Sequence, residues 1–277
     1  CSYWKGNKKM KILILGDLMG NSGRQAIKEN LSKIIRNKEI DFTIVNGENA
    51  AEDGKGITKD IVEELFNLGV DVITSGNHIW DKKEIAEFIS KEERLLRPDN
   101  LAEGSPGKGH GIFLSKNKKY KVAVLNLMGN VFMKKTEDLF VAAKNLKNKI
   151  RLKENADFII VDLHGEITSE KMAMGHYFDG KATAVVGTHT HVPTADTRIL
   201  DNGTAYQTDI GMCGDYNSVI GMNKENSIMK FLNDTKAQRH FPAVGQSTLS
   251  GIIVEADDFT GLANKIERFI YGGVLNN

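Results

Sequence analysis

A layered α/β fold, mostly parallel in its first half, is what this sequence predicts, and three observations carry the prediction. Short apolar runs alternate with segments of helical period from Lys11 to Val186. Clusters of Asp, Asn, Glu and His stand at the carboxyl ends of those runs. Beyond Pro193 the alternation gives way to short segments separated by turns.

The elements follow in order. Lys11–Gly16 (KILILG) reads as a buried strand. Ser22 to Arg36 carries Ile27, Leu31, Ile34 and Ile35 on one helical face, with Ser22 and Gln25 as a capping box. Phe42–Asn46 is the second strand. Thr58 caps a helix bearing Ile61, Val62, Leu65 and Phe66, which Gly69 stops. Val70–Ser75 is the third strand, and Asp81 and Glu84 open a further helix. The stretch from Arg94 to Gly111 is rich in Gly and Pro and reads as a loop. Strand character resumes at Val122–Leu127, a helix follows around Leu139–Ile150, and strands return at Phe158–Val161 and Ala182–Val186. Thr204–Thr208, Thr248–Val254 and Ala263–Phe269 read as antiparallel strands.

Composition narrows the class. The chain has 277 residues, 40% hydrophobic and 26% charged, as an ordinary globular domain does. A net charge of +1 gives no electrostatic argument for duplex nucleic acid or a membrane surface. Two cysteines, Cys1 and Cys213, are too few for a disulfide framework, and no apolar run is long enough to span a bilayer. A cytoplasmic protein is expected. Met10 reads as the natural start, residues 1–9 as an extension outside the fold, and residues 10–277 as one domain, with self-association left open.

The polar clusters carry the chemistry. They are Gly16-Asp17, Asn46-Gly47-Glu48-Asn49, Gly76-Asn77-His78, Asp162-Leu163-His164 and Gly187-Thr188-His189-Thr190-His191. In open α/β sheets ligands bind outside the carboxyl ends of the strands, so all five are expected on one rim. Singly, Asp17, Asn49 and Asn77 are ordinary turn residues and His164 an ordinary buried histidine. Together they form an oxygen-and-nitrogen donor set without thiolate, which suits Fe, Mn or Zn better than calcium. Six or seven donors exceed one ion's needs, and a carboxylate such as Glu48 can bridge two. In an extended Thr-His-Thr-His, His189 and His191 would face the same side.

Gly76-Asn77-His78 after a strand, with the later Thr-His-Thr-His, resembles the calcineurin-like metallophosphoesterases. Two departures sharpen the resemblance. Met19 stands where the usual Asp-x-His has its histidine, and Asn46-Gly47-Glu48-Asn49 replaces Gly-Asp-x-x-Asp. With GDLMGNSGR, TSGNHIWDKKEI, LLRPDN, DLHGEITSEKMAMGHYFDGK and VVGTHTHVPTADTRIL, the chain resembles the YmdB-like branch of bacterial phosphodiesterases over nearly its whole length after Met10. The resemblance implies a four-layer αββα sandwich and a centre of two metal ions, iron first and Mn or Zn as alternatives. The implied reaction is hydrolysis of 2′,3′-cyclic nucleotides. By motif position Asp17, Asn49 and His191 hold one metal, Asn77, His164 and His189 the other, and Glu48 bridges. His78 protonates the leaving oxygen while a metal-activated hydroxide attacks phosphorus. Arg97 and Asn100, in the loop running to His110, are expected to reach the phosphate or base. A phosphomonoesterase, a nuclease or a regulatory protein acting through a partner could keep the same centre. The segment from Gly211 to Gly221 either lines the pocket or merely turns.

Overall fold

The computed structural model describes residues 9–275; Cys1 and all but Lys9 of the expected extension lie outside the described residues. One sheet is built on β1 (Met10–Met19), which pairs in parallel with β2 (Phe42–Asn49), itself parallel to the short β3 (Val72–Thr74). On its other side β1 meets β11 (Leu249–Ala256) antiparallel, and β12 (Ala263–Tyr271) closes that edge. The two-residue β10 (Met212–Cys213) lies parallel beside Asp17 and Leu18. The second sheet runs β4 (His110–Leu114), β5 (Lys121–Met128), β6 (Phe158–His164), β7 (Ala184–Thr188), β9 (Ala205–Gln207), β8 (Arg198–Ile199). Its inner strands are parallel and its two edges antiparallel.

Strand alternation sorts the apolar side chains into three cores. Leu13 and Leu15 face Ile27 and Leu31 of α1 (Gly20–Lys38) and Ile61 and Leu65 of α2 (Lys59–Asn67). Ile12 and Ile14 face the other way and meet Val122, Val124, Phe158 and Ile160 between the sheets. Ala123, Leu125, Ile159 and Val161 pack beneath α4 (Leu139–Lys149) and α5 (Thr168–Tyr177). The result is the four-layer αββα sandwich. Each buried Leu or Ile on these faces is worth roughly 1.5–3 kcal/mol. A one-residue slip would turn both faces of a strand over, so the register is firmly set and the strand ends land where the sequence put them.

Several local readings need correction. Ser22 and Gln25 form no capping box: β1 runs straight into α1, Met19 occupies the cap position without a side-chain bond, and Ser22 Oγ donates to the Ala243 carbonyl. Thr58 does cap α2, accepting from Ile61 N. The helix expected from Asp81 shrinks to α3 (Ile85–Phe88), because Asp81 and Glu84 spend their carboxylates on His78 and Lys59 N. β9 is parallel to β7, whereas β11 and β12 are antiparallel as expected and complete the first sheet. The stretch from Arg94 to Gly111 is loop only as far as Gly109, since β4 begins at His110. Two helices went unread, α5 and α6 (Lys224–Phe231).

Candidate metal centre

The carboxyl ends of β1, β2, β6 and β7, with the turn after β3, meet on one rim. Beneath them lies a buried polar layer between the sheets. Asp162 accepts from Thr74 Oγ1, from Asn46 Nδ2 at 2.9 Å and from Thr188 Oγ1 at 2.8 Å, tying four strand ends together. Burial pushes its carboxyl above the usual carboxylate range. Gly76 permits a close approach: a Cβ there would lie 2.1 Å from the His164 ring.

On this layer the structure gathers Asp17, Glu48, Asn49, Asn77, His164, His189 and His191. Asp17, Glu48 and His164 are at most 1% exposed, and Asn49 and His191 are also buried. His164 Nε2 lies 3.2 Å from Asn77 Oδ1, 3.1 Å from His189 Nδ1 and 3.5 Å from Glu48 Oε1. His191 Nε2 lies 3.1 Å from Asn49 Oδ1 and 3.9 Å from Asp17 Oδ1. Glu48 Oε1 accepts from His78 N at 2.6 Å and Asp17 Oδ2 from His189 N at 3.0 Å, yet among the described residues Asp17 Oδ1 and Glu48 Oε2 are buried without a hydrogen bond.

Burial raises Asp17 and Glu48 to about 7. It lowers His164 and His191, and takes His189 to about 3, so the imidazoles are neutral. Their tautomers follow from their partners. His191 Nδ1 donates to the Ile220 carbonyl at 2.8 Å, so its Nε2 is a bare lone pair. Asn49 Nδ2 donates to the Gly54 carbonyl, so it is the Asn49 oxygen that faces that lone pair. Thr188 gives its hydroxyl proton to Asp162, so His164 Nδ1 must donate to Thr188 and His164 Nε2 is also bare. His189 Nε2 donates to Glu166 at 2.9 Å, which leaves its Nδ1 lone pair against that of His164. Among the described residues no three His, Cys, Asp or Glu side chains are already spaced to hold an ion. The donors lie against one another instead, lone pair to lone pair, with two orphan carboxylate oxygens beside them. Cations satisfy such a set, and its chemistry suits a transition metal.

His189 and His191 do not reach the rim by strand alternation. β7 ends at Thr188, and both histidines have positive φ, 102° and 66°, on either side of Thr190. This backbone is uncommon for residues with a Cβ and is held by the contacts around it. Asp209 receives Thr190 N and Oγ1, and is itself paired with Lys171 Nζ at 2.8 Å.

A cleft of about 280 Å³ opens over the rim. His78 lines it, its Nδ1 bonded to Asp81 at 2.7 Å and its Nε2 without a partner among the described residues. Lys55 is the one lysine or arginine on the lining among the described residues; its nearest acid in sequence, Asp53, is taken by Lys82 at 2.8 Å. Met19, Ile220 and Met222 form an apolar side, so the segment ending at Gly221 contributes to the wall. Arg97 and Asn100 are not on this lining. Arg97 donates to the carbonyls of Pro98, Asp99, Ser105 and Pro106, and Asn100 is buried between Met128 and Glu137. Arg97 holds its own loop in shape and Asn100 ties that loop to Met128 and Glu137, because a donor-rich side chain finds unpaired carbonyls first. A larger hollow of about 490 Å³ beside α1 offers one carboxylate, Glu29, and no histidine.

Sequence reasoning missed Asp81, Glu166, Lys55 and the Lys171–Asp209 pair. Asp81 carried a signal, three residues after His78; Lys55 carried another, between two glycines. Nothing local marks Lys171.

The relatives of the chain place it among the phosphoric ester hydrolases. The family comparison is more specific: a family model described as YmdB-like protein matches residues 13–269, and the chain belongs to that family. It is 47% identical over 261 residues to the 2′,3′-cyclic-nucleotide 2′-phosphodiesterase of Bacillus subtilis, covering 94% of this chain and 97% of that one. A crystal structure of a phosphatase from Mycoplasma pneumoniae superposes with a TM-score of 0.87 at 38% identity, covering 96% of this chain and 94% of the other. A 5′-nucleotidase from Candida albicans, 13% identical, shares the fold alone, with a TM-score of 0.53 over 94% of this chain and 50% of its own.

Proposed function

We propose that the chain is a two-metal phosphodiesterase acting on 2′,3′-cyclic nucleotides. The observation that carries the metal is the set of bare imidazole and amide lone pairs facing two unpaired buried carboxylate oxygens. The substrate class is supported by the Bacillus subtilis relative. Asp17, Asn49 and His191 would hold one ion, Asn77, His164 and His189 the other, and Glu48 both. When bound, such a pair supplies Lewis-acid activation of water and neutralises charge on the phosphoryl group.

The protein's own residues do the rest. Glu166 and the Ile220 carbonyl hold His189 and His191 in the tautomers that leave a ligating nitrogen bare. Asp81 fixes the His78 ring through Nδ1, and His78 Nε2 delivers a proton to the departing ester oxygen. Lys55 attracts the substrate's negative charge to the mouth of the cleft.

The test is anaerobic reconstitution with iron or manganese, followed by metal analysis and a substrate panel. About two ions per chain are expected, with cyclic nucleotides turned over faster than phosphomonoesters or oligonucleotides. A chain that takes up neither metal sinks the centre; one that binds metal but prefers monoesters or oligonucleotides moves the activity to the same centre's other uses. His78→Ala separates proton delivery from binding. It should keep its metal and lose about 10²–10⁴-fold in rate on nucleotides, and less on a nitrophenyl ester whose leaving group needs no proton.

A further inference from the structure

Across the cleft from His78 and Lys55 the chain makes a tight hairpin that breaks a local rule. Val219 and Met222 exchange both backbone hydrogen bonds, 2.9 Å each, leaving Ile220 and Gly221 as a two-residue turn. Their φ angles are 47° and 92°, the signature of a type I′ turn. That turn wants Asn-Gly or Gly-Gly. A β-branched residue in its first position is a true outlier, since its branched Cβ crowds the backbone there.

The surroundings force the turn on Ile220. Ser218 Oγ accepts from Gly221 N, the Gly221 carbonyl accepts from Ala243 N, and a Cβ on Gly221 would lie 2.6 Å from Met19. The Ile220 carbonyl receives His191 Nδ1. Ile220 and Gly221 enter these hydrogen bonds through backbone atoms alone, and asparagine or glycine at 220 would make them equally well. The isoleucine side chain gains little inside the protein, for the residue is 55% exposed on the lining of the cleft, beside Met222 and Met19. A strained residue whose side chain finds no burial at home, set at the mouth of a site, has its packing partner elsewhere.

We infer that Ile220 is a specificity residue: its side chain covers the nucleoside of the substrate while the phosphate lies at the Asp17–His191 rim. This rests on the phosphodiesterase reading and adds the chemistry selected, a phosphoester bearing a flat apolar substituent such as a nucleobase. The polarisable thioethers of Met19 and Met222 continue that surface.

The experiment compares manganese-reconstituted wild type, Ile220→Asn and Ile220→Leu. Calorimetry measures binding of adenosine 3′-monophosphate and, separately, of inorganic phosphate. Ile220→Asn makes the turn Asn-Gly, so it should melt above wild type yet bind the nucleotide about tenfold more weakly, with phosphate binding unchanged. Ile220→Leu should bind the nucleotide as wild type does. A change that only perturbed the fold would lower melting temperature and both affinities together. The proposal is overturned if Ile220→Asn binds the nucleotide as wild type does, or loses nucleotide and phosphate alike, which would mean Ile220 acts only through His191. It is also overturned if wild type binds phosphate and nucleotide equally. Turnover of 2′,3′-cyclic AMP by wild type judges the phosphodiesterase reading by itself, since the binding contrast does not depend on turnover.

Discussion

Two buried carboxylates hold successive amides of the same loop, and they could hardly be more different. Asp209 receives Thr190 N, and its charge is met by Lys171, both side chains 1% exposed. Gly211 N satisfies its other oxygen. Asp17 receives His189 N and meets no lysine or arginine among the described residues; one of its oxygens is orphaned there, and burial pushes it to about 7. Glu48 shares that condition. A buried charge with its counter-charge built in is part of the scaffold. One without it is left to a proton or an external cation, since desolvation of the bare charge is otherwise uncompensated. The contrast separates site from support without any appeal to motif.

The comparison can be broken most directly at Glu48. If it serves both ions, Glu48→Gln should abolish cyclic-nucleotide turnover and lower metal content while the far-ultraviolet dichroism stays that of wild type. Normal turnover by a folded variant would remove Glu48 from the centre. Next comes the scaffold. Lys171→Met leaves Asp209 buried and unpaired, at a cost of about 3–5 kcal/mol in the metal-free protein, read from urea unfolding. Adding Asp209→Asn should recover part of it. An unchanged midpoint in Lys171→Met would show that Asp209 needs no partner.

A sharper form uses pH. Glu48 in the folded chain sits at about 7, above its ordinary 4.5. Between those values the native state holds a proton that the unfolded chain has lost, so this group's contribution falls as pH rises through the window. Metal-free Glu48→Gln should therefore be more stable than metal-free wild type above about pH 7, by on the order of 3 kcal/mol, with the gap closing toward about pH 4.5. Manganese should reverse the order, because only wild type gains from it. A gap independent of pH would contradict the uncompensated charge. The smallest effect concerns Lys55, the one lysine or arginine on the cleft lining among the described residues. Lys55→Ala should raise the Michaelis constant about tenfold at constant kcat. Lys82→Ala should do the same more weakly, by freeing Asp53 to capture Lys55. A fall in kcat with an unchanged Michaelis constant would place Lys55 in the chemical step instead.

Much of this was legible in the sequence. Runs such as KILILG and FTIVN have the period and length of buried strands, and their ends name the rim. Asp17, Glu48, Asn49, Asn77, His164, His189 and His191 could be listed before any coordinates because parallel strands expose their carboxyl ends on one side. Periodicity and turn chemistry act over a few residues, so they are written locally. What they could not supply is the partner of each side chain. Arg97 and Asn100 looked like substrate ligands, yet the carbonyls of their own neighbourhood took them first. Helix α5 went unread because Lys171 interrupts its apolar face, and a lysine reads as buried only when Asp209, thirty-eight residues on, is brought against it. The bare lone pairs of His164 and His191 depend on Thr188 and Ile220, which only the folded chain delivers. The sequence by itself determined the central strands and what stands at their ends, though not the short edge strands β4, β8 and β10. The tertiary structure alone decided which charges are matched and which are left open, because desolvation and hydrogen bonding depend on neighbours in space.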